Sequence, residues 1–223
     1  MKELIIFDID GTIVKGQSQR LFLKYLMSAG MITRIFYIKL MTWFVLYKIG
    51  LATNPNKPME YAFSFLKGKS VGEIASLAHD FFEKKLKSYI YPEALNIIAE
   101  HRQAGRTIIL VSNAADIIVK EIARHLGVSE YLCTILETDS GLYTGKVYGS
   151  MYGGQKADAI TEFSSKRGFE LKNAWAYGDH ISDSRLLSIV GHPVAVNPSP
   201  KLELMARGKD WRITKFKDPE NRL

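Results

Sequence analysis

Leu4-Ile5-Ile6-Phe7-Asp8-Ile9-Asp10-Gly11-Thr12 is an apolar run that stops at two carboxylates and a glycine. Residues 4–7 are continuous, β-favouring and uncharged, as in a central strand covered on both faces. In an open α/β sheet, ligands bind just beyond the carboxyl ends of such strands, which is where Asp8 and Asp10 stand. Two acids one residue apart repel each other and lose hydration together, so the pair calls for a positive partner. A divalent cation meets that need, and an oxygen-only donor set favours Mg²⁺, which bridges carboxylates to substrate phosphates.

Three further elements follow in order. Ser112-Asn113 comes after an apolar strand at 107–111, Lys156 stands in Gly153-Gly154-Gln155-Lys156, and Gly178-Asp179-His180-Ile181-Ser182-Asp183 follows a strand at 174–177. Each lies at a strand end or a helix start. This set resembles the haloacid dehalogenase superfamily of phosphohydrolases, with its Asp-x-Asp-Gly-Thr, Ser/Thr, Lys and Gly-Asp-x-x-x-Asp motifs. The stretch 91–187 is most similar to the phosphoserine phosphatase branch.

The rest of the chain agrees with an α/β fold. Pro92 opens a helix that Gly105 closes, with Ala94, Leu95, Ile97 and Ile98 as its expected buried side. Ser112-Asn113 is the expected cap of a helix over 115–126 that ends at Gly127. A strand at 131–136 leads to a hairpin turn at Asp139-Ser140-Gly141, then come helices near 156–167 and 184–190, a strand at 192–196 and a helix at 200–207. The expected fold is a Rossmann-like parallel sheet core with helices on both faces and an inserted all-helical cap domain. The core takes residues 1–14 and 92–223, and the cap takes 15–91.

Composition sets the class. With 223 residues and 47% hydrophobic content the chain can bury a sizeable core. Cys133 is the sole cysteine, so no internal disulfide forms and a reducing compartment fits. The apolar run after Glu3 meets Asp8 too early for a signal peptide, which makes a cytoplasmic protein the expectation. The net charge of +7 belongs to the insert, where residues 15–90 carry twelve Lys/Arg against Glu60, Glu73, Asp80 and Glu83. From Gly11 to Met59 there is no acid at all. Such a basic surface attracts anionic substrates, and no module for reading nucleic acid accompanies it.

Residues 32–51 are the most apolar part of the insert, with Phe36, Tyr37, Trp43, Phe44 and Tyr47. Lys39 and Lys48 fall on opposite sides of a helix there, whereas Arg34 and Lys48 lie within about 40° of one face. The uninterrupted apolar stretch is too short for a membrane span of about 20 residues. A buried cap helix and a peripheral contact at the inner face of a membrane both remain open.

The chemistry follows from residue types and from the resemblance. Asp8 is the candidate nucleophile, forming an aspartyl-phosphate, and Asp10 the general acid and then base. The resemblance implies that Asp8, the main-chain carbonyl of Asp10 and Asp179 hold Mg²⁺. Lys156 offsets the charge crowded between Asp8 and the phosphoryl oxygens. Ser112 donates its hydroxyl to phosphate, aided by backbone N–H groups at Asn113 and Ala114. The resemblance gives Asp183, with Ser182, an outer role that orients the lysine and the metal's waters. Gln17 stands where the phosphoserine branch carries a substrate-binding Glu, no arginine occurs between Arg34 and Arg102 to grip a carboxylate, and His180 departs from the branch's small residue. The expected reaction is Mg²⁺-dependent hydrolysis of a small phosphomonoester. A lipid-like phosphate such as phosphatidylglycerophosphate is the alternative substrate, and a phosphate-accepting signalling module without turnover is a third reading.

Overall fold

The computed structural model describes residues 3–48, 56–149, 151 and 154–219. β1 (Leu4–Phe7) is at the centre of a seven-stranded sheet. β2 (Thr107–Ala115) and β5 (Trp175–Gly178) flank it, both parallel to it. β3 (Glu130–Asp139) follows β2 in parallel, and β4 (Leu142–Tyr148) closes that side as the antiparallel arm of a hairpin. Beyond β5 come β6 (His192–Val196) and β7 (Arg212–Thr214), also parallel.

The period of two in β1 assigns its side chains to two apolar layers. Ile5 and Phe7 enter one layer with the helices of the insert, with α5 (Pro92–Gln103) and with α6 (Asp116–Leu126). Leu4 and Ile6 enter the other, under α7 (Gln155–Arg167), α8 (Ser184–Ser188) and α9 (Pro200–Gly208). All four are buried, which is why the run reads as continuously apolar rather than alternating.

Between β1 and α5 the regular elements among the described residues are helices, chiefly α1 (Ser18–Ser28), α2 (Arg34–Lys48), α3 (Asn56–Phe63) and α4 (Val71–Lys84). Ser70 caps α4 by accepting from the Glu73 N–H at 3.1 Å. Two backbone clasps tie this segment down. Val14 bridges Ile90 where the chain leaves and re-enters, and Ser70 bridges Leu142 on the hairpin. Tyr143 both accepts from the Gly68 N–H and donates to the Lys69 carbonyl.

Several expectations are corrected. β2 runs to Ala115, so α6 begins at Asp116 with Ala115 as its cap, and Ser112-Asn113 is extended strand rather than a helix cap. A register shift between Val111 and Ala115 bends this end of the strand. Leu95 is on the solvent side of α5, while Ala94 and Ile98 are buried. The edge strand β7 has only three residues and no sequence pattern of its own; its pairing with β6 creates it.

α2 is neither wholly buried nor wholly open. Leu40 is buried and Phe36 stacks on Tyr61 at 4.8 Å, whereas Ile35, Ile38 and Val45 point to solvent. The side chains of Phe44, Tyr47 and Lys48 lie outside the described residues, as does Gly153. No described helix is long and apolar enough to cross a membrane.

Candidate active site

The parallel strands all point their carboxyl ends at one rim, and the motif residues gather there. Asp8 leaves β1 with its N–H donated to the Tyr177 carbonyl at 2.9 Å, which fixes it beside β5. Phe7 stacks on Tyr177 at 4.3 Å just beneath, so both strand ends share one packed base. Lys156, in the first turn of α7, donates to Asp8 Oδ1 at 2.6 Å and to Asp183 Oδ1 at 2.7 Å. A buried ammonium at the positive end of a helix is costly on both counts, and two carboxylates offset the cost. Burial pushes the Lys156 ammonium down, but Asp8 and Asp183 more than reverse this, and its pKa is raised well above the usual lysine value.

Asp8, Asp179 and Asp183 bring carboxylate oxygens within 4.8 Å of one another. Among the described residues, Lys156 is the only cation bonded to this trio. Burial raises the Asp8 pKa well above the carboxylate range against the pull of Lys156, with Asp183 and Asp179 adding to the rise. Burial, then the charge of Asp183, pushes Asp179 up to about 7. Three crowded carboxylates and one ammonium leave negative charge in excess, in an all-oxygen donor set, and a divalent cation fits that arrangement.

Gly11 makes the close approach of Asp179 feasible. Its φ is +91°, and a Cβ there would lie 2.1 Å from Asp179 Oδ2. The invitation to a metal therefore depends on a backbone position that only glycine fills.

Asp10 is half-buried, and its Oδ1 accepts the Ser18 N–H at 2.8 Å. This contact joins the second acid to the start of α1. Burial raises the Asp10 pKa while the Ser18 hydrogen bond opposes the rise. Ser112 is buried and accepts the Ala114 N–H at 3.0 Å, so that N–H is directed at the serine and not outward as the sequence suggested. The Asn113 carbonyl accepts from Gln19 Nε2 at 2.8 Å and from the Thr134 hydroxyl at 3.0 Å. Gln19, which carries no motif signal, is the side chain that links the insert to the second motif. Gln17, expected at the substrate, is exposed at the start of α1 and makes no cap.

In the fourth motif, Asp183 is fully buried, with Oδ1 on Lys156 and Oδ2 accepting the His180 N–H at 3.2 Å. Both of its oxygens are engaged by the protein, which fits an orienting role. His180 Nδ1 accepts the Ser182 N–H at 3.3 Å and approaches the Ser182 hydroxyl at 3.1 Å. The unexpected histidine thus closes its own loop, and the Ser182 hydroxyl faces it rather than the carboxylates. A cavity of about 410 Å³ lined by Arg102, Arg106, Arg167 and Phe169 opens at the opposite rim, where β2 and β3 begin. Its arginines are held by the Leu126 carbonyl, Glu3 and Glu130, so it is no part of this site.

The carboxylate trio sets a pH dependence for the metal-free protein. A carboxyl whose folded pKa is raised to about 7 contributes stability that is present below the ordinary value near 4 and lost as pH rises through 7. Thermal melting without metal should therefore fall between pH 5 and pH 8. Mg²⁺ should raise the melting temperature more at pH 8 than at pH 5, because it competes with that proton. An equal Mg²⁺ shift at both pH values would contradict the assignment of Asp179 to the cation.

Known proteins of similar sequence and structure point to one family. The family model for haloacid dehalogenase-like hydrolases matches residues 5–188. A phosphoserine phosphatase of Mycobacterium tuberculosis is 29% identical over 220 residues, covering 95% of this chain and 70% of that protein. A histidinol-phosphatase of Neisseria meningitidis is 28% identical over 231 residues, covering 97% of this chain and all of that one. A crystal structure of a Bordetella pertussis protein of unknown function superposes with a TM-score of 0.87 at 25% identity, covering 96% and 98% of the two chains. The match runs from within β1 through β5 and takes in all four motifs, and the chain belongs to the haloacid dehalogenase-like hydrolase family.

Proposed function

We propose that this chain is a Mg²⁺-dependent phosphomonoesterase that works through an aspartyl-phosphate on Asp8, with a small phosphorylated metabolite as substrate. The observation that carries the reading is the buried Lys156 bonded to both Asp8 and Asp183, with Asp179 in the same carboxylate cluster. Asp8 and Asp179, with the Asp10 carbonyl, would hold the cation, whose positive charge screens phosphoryl oxygens from the carboxylates.

A carboxylate oxygen of Asp8 attacks phosphorus, the bond from phosphorus to the ester oxygen breaks, and Asp10 gives its proton to the departing oxygen. Asp10 then takes a proton from water, the resulting hydroxide attacks the same phosphorus, and the Asp8–phosphorus bond breaks. Inorganic phosphate leaves and both aspartates regain their starting states. The raised pKa of Asp10 suits its first role, and the Ser18 N–H on Oδ1 leaves the other oxygen to carry the proton. Lys156 orients Asp8 and opposes the rise that burial imposes on its pKa, and Ser112 and the Asn113 backbone serve the phosphoryl group. Residues 15–91 act as a cap over this rim, held to it by the Ser18–Asp10 and Gln19–Asn113 contacts.

The two relatives are named for different phosphomonoesters, and both names support a small soluble substrate. Gln17 is neutral and exposed, and no arginine lies between Arg34 and Arg102, which argues against a ligand gripped by both an ammonium and a carboxylate. Hydrolysis of an aryl phosphate tests the chemistry. Turnover should vanish with a chelator, return with Mg²⁺, and be inhibited by Ca²⁺, whose looser coordination misplaces the nucleophile. Activity that survives rigorous chelation would overturn the reading. A panel of phosphorylated metabolites and lipid phosphates then identifies the substrate.

A further inference from the structure

We infer that the outward face of α2 is a docking surface for an anionic lipid bilayer, on which the helix lies in the plane of the headgroups. Five of its apolar side chains are exposed: Ile35 at 67%, Ile38 at 63%, Val45 at 57%, Trp43 at 37% and Leu46 at 36%. At 100° per residue, Ile35, Ile38, Val45 and Leu46 share an arc of about 100°, directly opposite the buried Leu40. Arg34 borders this ridge on one side, and Lys39 with Trp43 on the other, both cations being exposed. The sequence had set Lys39 apart from Arg34; the burial of Leu40 makes them the two banks of one ridge.

An apolar ridge with cationic banks and a tryptophan at its edge is the pattern of an interfacial helix. Over the described residues the helix has 15 residues, or about 22 Å, against a hydrocarbon core of about 30 Å, and its exposed ridge suits lying along a membrane. Charge selects the occupant. No acidic residue occurs from Gly11 to Met59. A second copy of the chain would press Arg34 and Lys39 against their own kind with no carboxylate of this segment to meet them. A surface of anionic headgroups meets both Arg34 and Lys39, with about fivefold in affinity for each cation near it. The inference rests on α2 alone and stands apart from the chemistry at Asp8.

The full chain is sedimented with vesicles of phosphatidylcholine, and with an equal mixture of phosphatidylcholine and phosphatidylglycerol. Binding should be at least about tenfold tighter to the mixed vesicles and should weaken with salt. The double variant Ile38→Glu with Val45→Glu should lose at least about tenfold of that binding, as should Arg34→Glu with Lys39→Glu. Leu204→Glu, on α9 and 76% exposed, should lose none. All variants should keep the wild-type melting temperature and aryl phosphate turnover in solution, which separates loss of docking from loss of fold or of phosphatase function. No wild-type binding, equal binding to both vesicles, or an equal loss in Leu204→Glu would overturn the inference. So would a dimer, seen by light scattering, that Ile38→Glu dissolves.

Discussion

Asp8→Asn should lower phosphatase turnover by a factor on the order of 10⁴ to 10⁶, the scale seen when a covalent nucleophile is removed. The fold should remain intact. Asn fills the same volume, Lys156 keeps its bond to Asp183, and the change deletes a charge that burial already disfavours. The metal-free variant should accordingly melt no lower than wild type at pH 8, where the deleted carboxylate is most costly. Rates and thermal melting in parallel separate the two effects. Unchanged turnover would remove Asp8 from the nucleophile's role.

Lys156→Met should damage both activity and stability, unlike Asp8→Asn. Loss of the cation leaves Asp8 and Asp183 buried with no counter-charge, and breaking a buried ion pair from one side costs about 3–5 kcal/mol. Turnover should fall by roughly 10² to 10³, the range for removing one electrostatic contact to a transition state. Because the folded pKa of Lys156 is raised above that of ordinary lysine, its contribution is fully present below about pH 10 and lost only in more alkaline solution. The variant's deficit should therefore persist at pH 8 and shrink at lower pH, as the stranded Asp8, whose pKa burial raises, takes up a proton. Denaturant melts at both pH values read this directly. A variant as stable as wild type at pH 8 would mean that Lys156 is not the counter-charge of the cluster.

The sequence alone determined the frame of this protein. The uncharged run at 4–7 is legible because a strand covered on both faces needs no polar side, and the position of Asp8 and Asp10 at its end follows from where parallel sheets bind ligands. Two helix ends were equally plain, since Gly105 and Gly127 adopt left-handed backbone that other residues resist. Tertiary structure decided the rest. Ser112 reads as a helix cap locally, yet pairing with β3 draws it into β2, because a strand's length is set by its neighbours as much as by its own residues. Lys156 has no local signal for burial; Asp8 and Asp183, 148 and 27 residues away in the chain, supply it. Gln19 acquires its contact to Asn113 only when α1 closes on the rim. The outward face of α2 was open to two readings because a largely apolar helix with lysines on opposite sides has no single polar face to say which side is covered. Leu40 and the Phe36–Tyr61 stack choose that side, and in choosing it they leave Ile35, Ile38 and Val45 facing out.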